Sequence, residues 1–257
     1  MTYCLGIKVR DGMVCLADGR ITSGNQVSSA RKVSLFSTDE TQVCLMTSGL
    51  RSLRDKAVAY FELACEEEEN AHPDKMLDLV NVYSACLRKV MVEDKEYLTT
   101  SGLYFDLHTI VAGQMKKDKE PKMFLIYPEG NWIEVNERAP HISIGSTSYG
   151  KPVLDRVINW ETPLSTVLKA AYIAFDSTRV SSVDVGYPVD ILTYASDKIW
   201  REQQFEFDDL LSLRRWWNEH ITKQIASMSD EPWADTLLPL KEAVEVKLVR
   251  DASTLNS

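Results

Sequence analysis

The first fifty residues fall into short apolar runs separated by polar turns. Residues 4–9 read as a strand, Arg10-Asp11-Gly12 as a tight turn, and residues 13–18 as the returning arm of a hairpin. A polar stretch, 21–31, leads to a third strand at 32–37. The turn Thr38-Asp39-Glu40 sends the chain back as a fourth strand at 42–47. This is the meander of an antiparallel sheet.

The period then changes to that of a helix. Residues 52–69 place Ala57, Phe61, Ala64 and Cys65 on one side and end in the acidic run Glu66-Glu67-Glu68-Glu69. Negative charge at a helix C-terminus opposes the backbone dipole, so this run is expected to be solvated. A second helix starts near Pro73-Asp74 and carries Met76, Leu79, Val80, Tyr83, Leu87, Val90 and Met91 at helical spacing, a core stripe. Strands resume at 107–115, 122–127, 132–135 and 141–144. The small-residue loop Gly145-Ser146-Thr147-Ser148-Tyr149-Gly150 opens a short helix at 151–158, and Thr162-Pro163 starts a longer one at 164–177. A late strand at 189–194 precedes a helix from residue 208, with Leu210, Leu213, Trp217, Ile221 and Ile225 on one stripe and Trp216 pointing elsewhere. From Ser229 the chain is polar and broken by prolines. The order predicts an α+β fold of two antiparallel sheets covered by helices on both sides. We divide it into a domain at 2–198 and a helical extension at 199–257, packed on that domain or on a neighbouring subunit.

Composition narrows the function classes. The 257 residues are 44% apolar and 26% charged, the balance of a globular protein. A net charge of −9 argues against non-specific attraction to nucleic acid or anionic membrane. No apolar run approaches a membrane span, and the N-terminus lacks the features of a signal peptide. The five cysteines form no CxxC pair and read as reduced core thiols of a cytoplasmic protein. The four histidines are scattered, so neither a zinc site nor a histidine triad is expected, and no cofactor is implied.

The candidate chemistry begins at Thr2. Removal of Met1 leaves a residue with a hydroxyl nucleophile and a free α-amine base. Such a unit needs a cation to keep the amine neutral, a carboxylate to hold that cation, and N–H groups for the oxyanion. Asp18 ends the second strand, which returns it beside the start of the first. Lys32 opens the third strand. Gly49 and Ser146 each sit at a strand-to-helix turn, where glycine also has structural uses and glycine-serine loops are common. Taken singly, Asp18 also fits a turn cap and Lys32 a surface cation.

The pattern Thr2-x-x-Leu5-Gly6-Ile7-Lys8, Asp11-Gly12-x-Val14, Ala17-Asp18-Gly19-Arg20, Lys32 and Ser48-Gly49 resembles proteasome β-type subunits. It is most similar to the bacterial proteasome-like Anbu family, whose members begin Met-Thr-Tyr-Cys. The segment Ile144-Gly145-x-x-x-Tyr149-Gly150-Lys151-Pro152-x-Leu154-Asp155-Arg156 is similar as well. The resemblance covers residues 2 to 195 and implies the αββα sandwich of N-terminal nucleophile hydrolases. It implies Thr2 as nucleophile, its amine as base, Asp18 and Lys32 as the carboxylate–lysine pair, Gly49 at the oxyanion and Ser146 near the amine. Thr47 falls at the wall of the substrate pocket. The family's Asp-x-x-Ser-Gly segment is replaced by Ser181-Ser182-Val183-Asp184-Val185-Gly186: Ser182 stands where the aspartate belongs, Val185 where the serine belongs, and Gly186 is retained. Ser182 or Asp184 is the substitute.

The resemblance implies a threonine peptidase in a homo-oligomeric ring or open helical array, with an ATP-driven unfoldase as a compatible partner. Two other readings stand beside it: an assembly subunit that keeps the fold without the chemistry, and a hydrolase of small amides. The retained Thr2, Asp18 and Lys32 favour catalysis.

Overall fold

The computed structural model describes residues 2–23, 26–37, 42–66, 73–229 and 237. The turn expected at Thr38-Asp39-Glu40, most of the acidic run at 66–69 and nearly all of the tail after Ser229 lie outside the described residues. Contact density divides the chain into one unit ending at Leu211 and a second beginning at Ser212.

The first unit is built from a hairpin, β1 (Tyr3–Val9) and β2 (Gly12–Asp18), a small ribbon, β3 (Arg20–Ser23) and β4 (Gln26–Ser29), and a second hairpin, β5 (Val33–Ser37) and β6 (Gln42–Gly49). Two helices follow, α1 (Arg51–Glu66) and α2 (Met76–Thr100). Then come β7 (Leu107–Gly113), β8 (Lys122–Ile126), β9 (Trp132–Glu134), β10 (His141–Gly145), α3 (Lys151–Val157), α4 (Leu164–Ser181), β11 (Val189–Tyr194) and β12 (Trp200–Phe205). One five-stranded sheet has the order β10-β1-β2-β11-β12 and the other β5-β6-β7-β8-β9. Every strand pairing is antiparallel.

β1 and β2 are buried at every position because both of their faces are covered. Cys4, Met13, Cys15 and Ala17 meet Cys44, Met46, Ile110, Ala112 and Met123 of the second sheet, making the inter-sheet core. On their other face lies α4. Helices α1 and α2 cover the far side of the second sheet, where Ala57, Phe61, Tyr83 and Leu87 pack on Leu45, Val111 and Phe124. The result is a four-layer αββα sandwich, the fold expected from the sequence. Cys4, Cys15, Cys44 and Cys86 are buried thiols and Cys65 is half-buried.

Three strands depart from the sequence reading. The polar stretch after Asp18 is the β3–β4 ribbon. Trp200–Phe205, which the reading gave to the C-terminal extension, is an edge strand of the first sheet. Its residues WREQQF carry little apolar signal, since only Trp200 is buried. In the second unit α5 (Leu211–Ala226) has no buried residue, and exposed Trp216 stacks on His220 with ring centroids 3.9 Å apart. Among the described residues no helix is long and apolar enough to cross a membrane.

The outer core is keyed by Phe61. Its ring makes edge contacts to Phe36 at 5.4 Å and to Tyr83 at 5.5 Å. Tyr83 bonds Thr109 at 3.1 Å, and burial pushes its phenol up to about 12. Phe61→Ala is expected to cost about 3–5 kcal/mol in urea unfolding, by leaving a cavity between α1 and the second sheet. A loss below about 1 kcal/mol would show that the layer recloses around the gap.

Candidate active site

Antiparallel pairing brings several chain ends to one edge of the sandwich. Tyr3 lies opposite Gly145, Cys4 opposite Ala17, and Val189 opposite Asp18. The start of β1, the ends of β2 and β10 and the start of β11 therefore share that edge. In the second sheet Val33 lies opposite Met46, so Lys32 precedes β5 beside the end of β6. There the Lys32 carbonyl accepts the Thr47 N–H at 3.4 Å within the second sheet, and the Cys4 thiol crosses from the first sheet to donate to the Thr47 carbonyl at 3.7 Å.

Asp18 is the hub. Its side chain is wholly buried, and Oδ1 accepts the Tyr3 N–H at 2.8 Å and the Lys32 ammonium at 2.7 Å. Oδ2 accepts the Gly186 N–H at 3.3 Å. Burial pushes the Asp18 carboxyl above the usual carboxylate range, while the Lys32 charge and the two backbone donors oppose that shift. Lys32, 7% exposed, also donates to the Arg20 carbonyl at 2.7 Å. An ammonium has three donors. Two of those on Lys32 are engaged, and the third has no acceptor among the described residues.

Thr2 is buried beside this pair through its own main chain. Its carbonyl accepts the Ser146 N–H at 2.7 Å. Gly145 has φ +86°, and a Cβ there would stand 1.8 Å from the Thr2 carbonyl oxygen, so only glycine allows this approach. The Thr2 hydroxyl bonds no described residue. The Ser146 hydroxyl lies 3.5 Å from that of Ser182. Ser182 thus lies next to Ser146. Asp184 is half-buried on the same turn and bonds neither Asp18 nor Lys32. Val185 is fully buried.

Gly49 ends β6 with φ +139°, and a Cβ would come within 1.9 Å of the Asp106 carbonyl oxygen. The backbone alone requires glycine there. Thr47 is buried and pairs across the ladder with Thr109. The structure therefore gathers Thr2, Asp18, Lys32, Thr47, Ser146 and Ser182 through these contacts and sets Gly49 at the end of the same strand as Thr47.

Sequence reasoning did not find what holds the 182–188 loop. Arg179 forks onto Asp176 at 2.6 and 3.1 Å and lies 5.7 Å over the rings of both Tyr187 and Phe207. Tyr187 also packs edge-on against Phe175 at 5.2 Å. This clamp fixes the residue next to Gly186. The helical spacing of Asp176 and Arg179 was the available signal, but nothing local links it to Asp18. Among the described residues no three His, Cys, Asp or Glu side chains converge on a metal-sized site.

The two sheets and their helical covers form the sandwich of the N-terminal nucleophile hydrolases. The chain belongs to the proteasome subunit family, which it matches over residues 2–187. It is 22% identical over 196 residues to proteasome subunit beta 1 of Pyrobaculum calidifontis, covering 75% of this chain and 90% of that protein. The bacterial Anbu proteins are its structural neighbours. A Gly-1 mutant of Anbu from Hyphomicrobium sp. strain MC1 superposes with a TM-score of 0.81 at 26% identity, over 89% of this chain and 98% of that one. Anbu from Pseudomonas aeruginosa, solved as a helical assembly, gives 0.83 at 25% identity, over 91% and 99%. This chain is an Anbu-like, proteasome-type protein.

The tight approach at Gly145 is testable by stability. Gly145→Ala is expected to cost roughly 3 kcal/mol or more in chemical denaturation, because the methyl would displace the Thr2 carbonyl. Gly102 has φ +72° with nothing within 4 Å of a Cβ. Gly102→Ala should therefore cost only about 1 kcal/mol. Equal losses would mean that backbone conformation, not contact with Thr2, sets the requirement at 145.

Proposed function

We propose that this protein is a threonine-type hydrolase of peptide or related amide bonds, with Thr2 as nucleophile once Met1 is removed. The observation that carries this reading is the buried Asp18–Lys32 pair at the start of β1, where the Tyr3 N–H shares Asp18 Oδ1 with an ammonium whose third donor has no acceptor among the described residues. Two desolvated charges are a poor way to stabilise a fold, since apolar side chains of similar volume generally do as well or better. A lysine positioned next to a nucleophile gives the pair a chemical use.

In this reading Lys32 keeps the α-amine of Thr2 neutral by repulsion and polarises the hydroxyl. The hydroxyl oxygen adds to the amide carbon while its proton passes to the amine. The negative oxygen formed is met by backbone N–H, with Gly49 as the proposed donor. Collapse breaks the C–N bond, the amine proton leaves with the new amino group, and an ester to Thr2 remains. Water then attacks the ester, giving its proton to the same amine, and the hydroxyl is regenerated. Ser146, with Ser182 against it, orients the amine, and Thr47 walls the substrate pocket. The helical assembly of the Pseudomonas aeruginosa neighbour supports self-association of this chain as well.

The test starts with the intact mass of natively expressed protein, which should be lower by one methionine. That protein should be labelled covalently by a threonine-directed electrophile, and Thr2→Ala should lose the label while keeping its oligomeric size. Full-length mass with no labelling would instead support the assembly-subunit reading.

The pH profile supplies a second test. Burial raises Asp18, so on acidification it gains its proton at a higher pH than an exposed aspartate, whose value is about 3.9. Activity should fall as pH descends through that raised value, because Lys32 loses its counter-charge. The stability contribution has the opposite sign. A folded value above the unfolded one gives stability that is full below the unfolded value and is lost as pH rises through the folded one. Rate and the Asp18 part of stability should thus diverge across this window. An acid limb centred at an ordinary aspartate value would remove Asp18 from the rate-controlling ionisation.

A further inference from the structure

Arg20 follows Asp18-Gly19 directly, and its main-chain carbonyl is one of the two acceptors of Lys32. Its side chain folds back over the loop after α4. A Cβ on Gly186 would stand 2.9 Å from Arg20 Cδ and 3.2 Å from one of its terminal nitrogens. Gly186 is the residue whose N–H reaches Asp18 at 3.3 Å. The guanidinium therefore lies one residue away from the Asp18–Lys32 pair.

Among the described residues its charge is unmatched. Arg179 is forked onto Asp176, Arg54 onto Asp55, and Arg31 pairs with Glu202. No carboxylate, carbonyl or hydroxyl among the described residues takes a hydrogen bond from the Arg20 guanidinium. Asp18 is already neutralised by Lys32, and Asp184 on the neighbouring turn has a partner of its own. Of the three guanidinium nitrogens only Nε is sealed from solvent without a partner. The half-buried stem is packed against Gly186, and the terminal nitrogens donate to no acceptor among the described residues. A guanidinium stays charged at any working pH and offers a planar fork that fits a carboxylate.

We infer that Arg20 is an anion subsite of the active site, selecting substrates that carry a carboxylate close to the scissile amide. The inference rests on the threonine-hydrolase reading and names its substrate class: acidic peptides or amides. The carboxylate is either an Asp or Glu side chain flanking the cleaved bond or a C-terminal carboxylate. The chain's net charge of −9 repels such substrates at long range, so selection depends on this local cation.

The experiment uses whole protein whose mass shows Thr2 exposed. Matched fluorogenic peptides differ only in Glu against Gln on either side of the scissile bond, or in a C-terminal acid against its amide. The wild type should show kcat/KM roughly ten- to a hundredfold higher for one acid form than for its amide isostere, as expected of a charge-assisted fork. Which pair discriminates identifies the source of the carboxylate. The ratio should fall as sodium chloride is raised, approach one in Arg20→Gln, and survive in part in Arg20→Lys. Ratios are read within each protein, so a change in absolute rate does not affect the comparison. A wild-type ratio near one for every pair, or a ratio that persists in Arg20→Gln, overturns the inference even if the glutamine variant is poorly folded, since the wild type alone decides the first outcome. Covalent labelling by a neutral threonine-directed electrophile separates the two levels. Labelling with a flat acid-to-amide ratio sinks only the anion subsite. Neither labelling nor cleavage of any peptide sinks the hydrolase reading and the subsite with it.

Discussion

The buried pair of Asp18 and Lys32 is the constraint on which this end of the molecule depends. Asp18 is sealed from water and Lys32 nearly so, and the pair is kept by its surroundings: Tyr3 and Gly186 N–H groups on the carboxylate, the Arg20 carbonyl on the ammonium. Removing either partner of such a pair typically costs about 3–5 kcal/mol, because the other charge is left unmatched in low dielectric. Besides the segment that carries Lys32, three separated segments must therefore come to fixed places at once. The start of β1, the turn after β2 and the loop after α4 are fixed by shared hydrogen bonds rather than by local preference.

The sandwich supplies those places without any irregular element. Hairpins return chain ends to where they began, so one edge of each sheet collects strand termini that are free to carry polar groups, while the strand interiors stay apolar. Closing that edge falls to two glycines: Gly145 lets the Ser146 N–H reach the Thr2 carbonyl, and Gly49 lets β6 turn into α1 beside the Asp106 carbonyl. The clamp of Arg179 over Tyr187 and Phe207 fixes the last segment.

Much of this was legible in the sequence where signals are local. The apolar runs of β1, β2 and β6 and the stripe of α2 gave layers and order directly, and the family pattern placed Thr2, Asp18 and Lys32. What escaped detection lacks a local signature. β12 is WREQQF, an edge strand whose outward residues read as an exposed polar segment, and β3 and β4 are short and polar. Gly186 reaches Asp18 across a sequence separation of 168 residues, which no periodicity reports. The substitution of Ser182 for an aspartate was visible, but its contact with Ser146 required coordinates. Gly49 carries the reverse lesson: its backbone already demands glycine, so its place in the pattern does not by itself identify an oxyanion donor.

The long reach of Gly186 also bears on the order of events during synthesis. β2 lies between β1 and β11, and β11 is made only after some 170 further residues have emerged. A ribosome-bound chain that ends before the 182–194 segment has Thr2 but lacks the second carboxylate contact and one neighbour of the central strand. Thr2 is thus translated long before the last of the segments that surround it. Pairing between distant strands is slow and exposes unpaired edges while it waits. Placing the final donor at the far end of the domain ties this pocket to completion of the fold: in a nascent fragment the Asp18 carboxylate lacks its Gly186 donor until the last part of the sandwich is in place.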